Sequence, residues 1–180
     1  MSDRPATLRE RCLGVELLIV DVDGVLTDGG IVYASPEAEL KHFHVRDGAA
    51  LRWWRQLGKR AGLITGRRSP LVDVRAAEVG IELVVQGAAD KADAYARMLE
   101  RAGVAAPAVC YVGDDLPDLA PLRRSGLAVA VADACAEVRA DAHYVTRAAG
   151  GRGAVREVIE LILRCQGLWQ PLVARLRDGE

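Results

Sequence analysis

The chain has 180 residues, of which 51% are hydrophobic and 27% charged, and a formal net charge of −1. That length suits one domain, residues 1–180, able to bury a sizeable core. The near-neutral charge argues against nucleic acid or an anionic membrane as the main partner. Arginines at 67, 68, 123, 124, 147 and 152 read first as solvated surface. Cys12, Cys110, Cys135 and Cys165 form no CxxC pair and no zinc spacing. Met1 to Arg11 is polar, without an apolar signal core, and no apolar stretch approaches the ~20 residues of a membrane span. The expected setting is reducing, soluble and cytoplasmic.

In chain order, the first strand candidate is Val15 to Val20, an apolar run ending in Asp21. Gly29 to His44 reads as an inserted β-hairpin, with extended runs Ile31–Ala34 and Leu40–His44 and a turn at Ser35-Pro36-Glu37. A helix follows, with Asp47 as its cap and Gly58 as its stop. It carries Trp53 and Trp54, expected to pack on the hairpin or a neighbouring molecule. Further strands are expected at Ala61–Ile64, Leu83–Val85, Val109–Val112 and Leu127–Val131, with a short one at Tyr144-Val145. Between them, Asp90 can cap a helix starting near Lys91, with Tyr95, Met98, Leu99 and Ala102 on one face. Val155, Val158, Ile159, Ile162 and Leu163 form a cleaner apolar stripe. The tail from Gln166 to Glu180 is polar, is interrupted by Pro171 and is expected to order only in an assembly, with Trp169 docking into an interface.

Apolar strands without alternation, separated by helices, imply an α/β fold with a doubly wound, mostly parallel sheet. Ligands of such sheets bind at the carboxyl edge of the strands. The polar residues at the strand ends therefore carry the chemistry.

Asp21 and Asp23 follow the first strand. Two residues apart on an extended chain, their side chains point the same way. One carboxylate can attack phosphorus while the other protonates the leaving oxygen; taken alone, Asp-x-Asp-Gly is an ordinary turn. Thr65 and Gly66, after the second strand, can hold a phosphoryl oxygen, and Lys91 at a helix N-terminus favours an anion. Asp114, Asp115 and Asp118 follow the fourth strand. A phosphate dianion beside Asp21 and Asp23 needs a cation, and Mg²⁺ takes hard oxygen ligands: Asp21, a backbone carbonyl expected at Asp23, and one of the Asp114-Asp115 pair. His42 and His44 alternate on a strand but lack a third ligand nearby.

Asp21-x-Asp23-Gly24-Val25-Leu26-Thr27-Asp28, Thr65-Gly66-Arg67, Lys91 and Gly113-Asp114-Asp115 resemble, in order and spacing, the motifs of the haloacid-dehalogenase-like superfamily. Val45-Arg46-Asp47-Gly48, Ala128 to Ala134, Tyr144 to Arg147 and Gly150 to Glu157 are similar to its 3-deoxy-D-manno-octulosonate 8-phosphate (KDO 8-phosphate) phosphatase family. The resemblance runs from about Val15 to Gly167. It implies Asp21 as nucleophile, Asp23 as general acid and base, Thr65 and Lys91 as phosphate holders, and Asp114 as Mg²⁺ ligand supported by Asp115 and Asp118. It also implies a hairpin in place of a cap domain and a homotetramer in which a neighbour helps to close each site. Arg46, Arg67, Arg147 and Arg152 are candidates for the carboxylate of a sugar acid phosphate, since guanidinium binds carboxylate bidentately. In the family this hydrolysis precedes cytidylyl activation in lipopolysaccharide synthesis. Three alternatives stay open: a phosphatase of a nine-carbon sugar acid phosphate, a phosphomutase, and a catalytically silent oligomerisation module.

Overall fold

The computed structural model describes residues 6–35 and 38–179. Pro36 and Glu37 of the expected hairpin turn lie outside the described residues, as do residues 1–5 of the polar N-terminus and Glu180 of the tail.

Six parallel strands form the sheet: β1 (Leu17–Val20), β4 (Arg60–Thr65), β5 (Leu83–Gln86), β6 (Val109–Gly113), β7 (Leu127–Ala130) and β8 (Tyr144–Val145), in the order β5-β4-β1-β6-β7-β8. Every side chain of β1 is buried, as befits a central strand covered on both faces. Leu17 to Val20 pair with Arg60 to Leu63 on one side and with Val109 to Val112 on the other. The chain builds outward from β1 through β4 to β5, then crosses back to β6 and builds outward the other way. The strand order thus reverses beside β1, and side chains at the ends of β1, β4 and β6 meet in the crevice left there.

Helices cover both faces. On one lie α1 (Leu8–Leu13), α2 (Val45–Gln56) and α7 (Ala154–Cys165), with α3 (Pro70–Val79) beside α2; on the other lie α4 (Lys91–Ala102), α5 (Leu119–Arg124) and α6 (Ala136–Asp141). The stripe of α7, from Val155 to Leu163, is fully buried. Asp90 caps α4 as expected, accepting from the Ala92 and Asp93 amides at 2.7 and 3.4 Å.

Asp47 does not cap its own helix. His44 precedes α2 as N-cap without a side-chain bond, and Asp47 sits buried within the first turn. Its Oδ1 instead accepts from the Arg156 amide at 2.7 Å, at the N-terminus of α7. That helix begins after Gly153 and lacks a cap of its own, so a carboxylate from the neighbouring helix satisfies the exposed donor. Burial still pushes the Asp47 carboxyl above its ordinary range, against the pull of that amide.

The tail is also a correction. It forms α8 (Trp169–Arg177), with Pro171 inside the first turn, where its missing N–H costs nothing. Trp169 is buried and meets Trp53 edge-on at 6.3 Å between ring centroids, and the Arg156 guanidinium lies over both rings. The partner of Trp53 is therefore this helix of the same chain, not the hairpin. Trp54 is fully buried and donates its Nε1–H to the Arg60 carbonyl at 2.7 Å.

The hairpin is present as β2 (Val32–Ser35) paired antiparallel with β3 (Ala38–Leu40). Its second strand begins two residues earlier than the expected run and stops at Leu40. Residues 41–44 are irregular, because they leave the hairpin to enter α2.

Candidate active site

Asp21, Asp23, Thr65, Gly66, Arg67, Lys91, Asp114, Asp115 and Asp118 line one cavity of about 350 Å³ at the carboxyl edge of the sheet. The strand ends deliver them: Asp21 follows β1, Thr65 ends β4, Asp114 follows β6 and Lys91 opens α4 after β5. Asp21 and Asp23 reach the same cavity by a route other than a straight extension. The chain curls tightly from Val22 to Leu26, and Gly24 adopts φ 95°. A Cβ on Gly24 would collide with Asp114 Oδ2, so glycine is required both for the turn and for the approach of Asp114. The backbone of Gly24 is approached as closely by Gly150, where a Cβ would overlap the Gly24 carbonyl.

At the floor stands Asp118, fully buried. Its Oδ1 accepts from Lys91 Nζ at 2.7 Å and from the Tyr111 hydroxyl at 2.6 Å; its Oδ2 accepts from the Asp114 and Asp115 amides at 3.2 and 3.3 Å. Lys91 Nζ also pairs with Asp21 Oδ1 at 2.9 Å, but not in a geometry that makes a directed hydrogen bond. Asp115 is exposed and caps the short turn through Asp118.

Charge in this floor is unbalanced. Carboxylate oxygens of Asp21, Asp114 and Asp118 lie within 4.8 Å of one another. Burial and Asp118 push the Asp21 carboxyl well above its ordinary range, outweighing the pull of Lys91. Burial and Asp118 likewise push Asp114 up to about 6. Burial disfavours the Lys91 ammonium, yet Asp21 and Asp118 together raise its pKa above the usual value. Three acidic side chains thus share one ammonium. Asp114 Oδ1 is buried with no hydrogen-bond partner, and Asp21 Oδ1 accepts no directed bond. The four contacts of Asp118 occupy both its oxygens. A divalent hard cation fits the unpartnered oxygen of Asp114, the neighbouring carboxylate of Asp21 and the excess of acidic groups.

One wall of the cavity is formed by Asp23 and Arg67, and the hairpin segment holds both from outside. Lys41 Nζ contacts Asp23 Oδ1, while Thr65 Oγ1 lies 3.4 Å from Asp23 Oδ2. Arg67 Nη2 pairs with Glu39 Oε2 at 3.1 Å. Arg67 Nε and Glu39 Oε1 are buried without hydrogen-bond partners.

Of the four arginines singled out, only Arg67 reaches this cavity. Arg46, Arg147 and Arg152 line another, of about 340 Å³, along α7 with Arg156 and Arg164. Arg152 pairs with Asp28 at 3.4 Å and Arg147 with Glu157 at 3.7 Å. Among the described residues, neither His42 nor His44 belongs to a cluster able to hold a metal. Lys41, Glu39 and Tyr111 escaped the sequence reading. The first two sit two apart, one within β3 and one just past its end. Tyr111 was visible as the one hydroxyl in an apolar strand, which needs a partner once buried.

No helix among the described residues is long and apolar enough to cross a membrane. A family model described as haloacid dehalogenase-like hydrolase matches residues 37–126. The 3-deoxy-D-manno-octulosonate 8-phosphate phosphatase KdsC of Escherichia coli (strain B / BL21-DE3) is 46% identical over 162 residues, spanning 90% of this chain and 86% of that protein. The crystal structure of the same phosphatase from Moraxella catarrhalis, in complex with magnesium, phosphate and KDO, matches with a TM-score of 0.91 at 40% identity, covering 93% of this chain and 97% of that one. A probable YrbI-family phosphatase from Pseudomonas syringae matches with a TM-score of 0.93 at 40% identity, covering 96% and 98%. The chain therefore belongs to the haloacid dehalogenase-like hydrolases and, among them, to the family of the 3-deoxy-D-manno-octulosonate 8-phosphate phosphatases.

Proposed function

We propose that this chain is a magnesium-dependent phosphatase that hydrolyses 3-deoxy-D-manno-octulosonate 8-phosphate to the free sugar acid and phosphate. The observation that carries the reading is the single cavity holding Asp21, Asp23, Asp114 and Lys91, in a chain close in sequence to phosphatases of that name.

In this reading the Asp21 carboxylate attacks phosphorus and the bond to the ester oxygen breaks. Asp23 gives its proton to that oxygen, and the sugar acid departs. Asp23, now a carboxylate, takes a proton from a water molecule as its oxygen attacks the phosphorus of the aspartyl phosphate. Phosphate leaves and the Asp21 carboxylate is restored. Thr65, Gly66 and Lys91 hold the phosphoryl oxygens. Asp118, with Tyr111 and the Asp114 and Asp115 amides, holds Lys91 in place. Asp21, Asp114 and the Asp23 carbonyl would hold magnesium, which when bound offsets the charge of phosphate beside carboxylates. Arg67, which lines the same cavity, is the candidate partner of the sugar carboxylate.

The chain acts as one domain within a homotetramer in which the hairpins pack together. Ile31, Val32, Tyr33 and Leu40 of the hairpin are about half exposed or more, an apolar surface that a neighbouring hairpin would cover. A cytoplasmic setting is supported by four cysteines that remain free, although Cys12 and Cys165 lie close enough to interact.

The test is turnover of the eight-carbon and nine-carbon sugar acid phosphates with and without Mg²⁺. Faster, Mg²⁺-dependent hydrolysis of the eight-carbon ester is expected; faster turnover of the nine-carbon ester would replace the substrate. Light scattering of the purified protein should give the mass of a tetramer.

A further inference from the structure

Asp23 must deliver a proton to one oxygen of a bound ester, so its carboxyl group needs a fixed direction. Its own backbone does not supply that. It lies in the curl after β1, at φ −82° and ψ 113°, immediately before a glycine at φ 95°. Two side chains from elsewhere hold it instead: Thr65 Oγ1 at the end of β4 reaches Oδ2, and Lys41 Nζ, just past the hairpin, reaches Oδ1. The Lys41 side chain is 3% exposed, a placement an ammonium tolerates only against a partner, and Asp23 is that partner. Two residues earlier Glu39 clamps Arg67, so the end of the hairpin and the residue just past it are fastened to the cavity at two points.

We propose that Lys41 is the positioning residue for proton donation by Asp23, an inference that rests on the phosphatase reading above. The ammonium fixes the Asp23 carboxyl group so that its other oxygen faces the leaving oxygen. When the ester bond to phosphorus breaks, the proton of Asp23 passes to the departing alkoxide, and the charge left on Asp23 lies against the ammonium. In this way the hairpin segment substitutes for part of a cap: it sets the direction of the acid.

The experiment compares two leaving groups. An alkyl phosphate needs a proton to depart, whereas 2,4-dinitrophenyl phosphate does not. Both substrates meet the same sample of each variant, so the ratio of their kcat/KM values is independent of how much of the variant is folded. Lys41→Met should lower kcat/KM for the alkyl ester by about 10²-fold relative to the aryl ester, and Lys41→Arg should recover most of that difference. Equal losses on the two esters would mean that Lys41 binds phosphate or supports the fold, and would overturn the proposal. So would unchanged kinetics on both. Should the wild type prefer another alkyl phosphate to the octulosonate ester, the substrate reading falls, and the ratio is then measured with the preferred ester.

Discussion

At the floor of the cavity, Asp118 accepts four hydrogen bonds from Lys91, Tyr111 and two backbone amides; at its wall, Lys41 and Arg67 each meet one carboxylate across a gap between the hairpin and the sheet. The floor is assembled by the sheet itself. Parallel strands in fixed register bring their carboxyl ends to one edge, and each end places its polar residue there. The wall depends on how an inserted hairpin folds back. The floor concentrates negative charge on buried groups and so calls for a cation. The wall pairs each charge with one of opposite sign. In the proposed mechanism, bond-making belongs to the floor, and direction and selection to the wall.

The largest effect expected in breaking that division is at Asp21. Asp21→Asn should lower steady-state turnover by about 10⁴-fold or more while the circular dichroism spectrum stays unchanged. Asp118→Asn comes next, through stability as well as activity. The amide NH2 that replaces one carboxylate oxygen cannot accept from the donors that Asp118 satisfies, so two buried donors lose their acceptor, a change that costs about 3 kcal/mol. In a chain of this size that lowers the melting temperature by roughly 6–12 °C. A variant as stable as the wild type would show that the floor is not the buried ionic unit described.

A pH series sharpens the charge argument. Burial and Asp118 raise the folded pKa of Asp114 from 3.8 to about 6, so the metal-free folded state binds its proton more tightly than the unfolded chain does. The stability from this group is full below its unfolded value and is lost as pH rises through its folded one. Protons and Mg²⁺ then compete for the same oxygen. The rise in melting temperature on adding Mg²⁺ should therefore grow between about pH 5 and about pH 7. The same increment at both values would remove Asp114 from the cation site. The smallest effect is expected away from both regions. The Arg147 side chain is 91% exposed, and Arg147→Ala should change stability by less than about 0.5 kcal/mol.

The same contrast decides what the sequence could tell. The floor was legible because apolar strands are recognisable runs and the residue after each run must lie at the ligand edge; Asp21, Thr65 and Asp114 follow from that rule. Lys91 followed from the cap at Asp90. The wall was not legible. Neither the register of a short exposed hairpin nor its fold-back onto the sheet is written in a periodic pattern, so nothing in the sequence singled out Glu39 and Lys41. Asp47 looked like a cap and is one, but for α7, a helix more than a hundred residues away. Trp53 and Trp169 were each visible as aromatics in need of a partner, and nothing local said that they are partners of each other. Arg46, Arg147 and Arg152 carried the right chemistry, but in the single chain they line a different cavity.

The proposed mechanism requires a covalent bond to Asp21. In the Asp23→Asn variant the base that activates water is removed, while 2,4-dinitrophenyl phosphate can still phosphorylate the nucleophile because its leaving group needs no proton. Quenching that reaction in acid and mapping the protein by mass spectrometry should find a phosphoryl group on the peptide that contains Asp21. A phosphoryl group on any other residue, or its absence while a stoichiometric burst of dinitrophenol is released, would contradict the account.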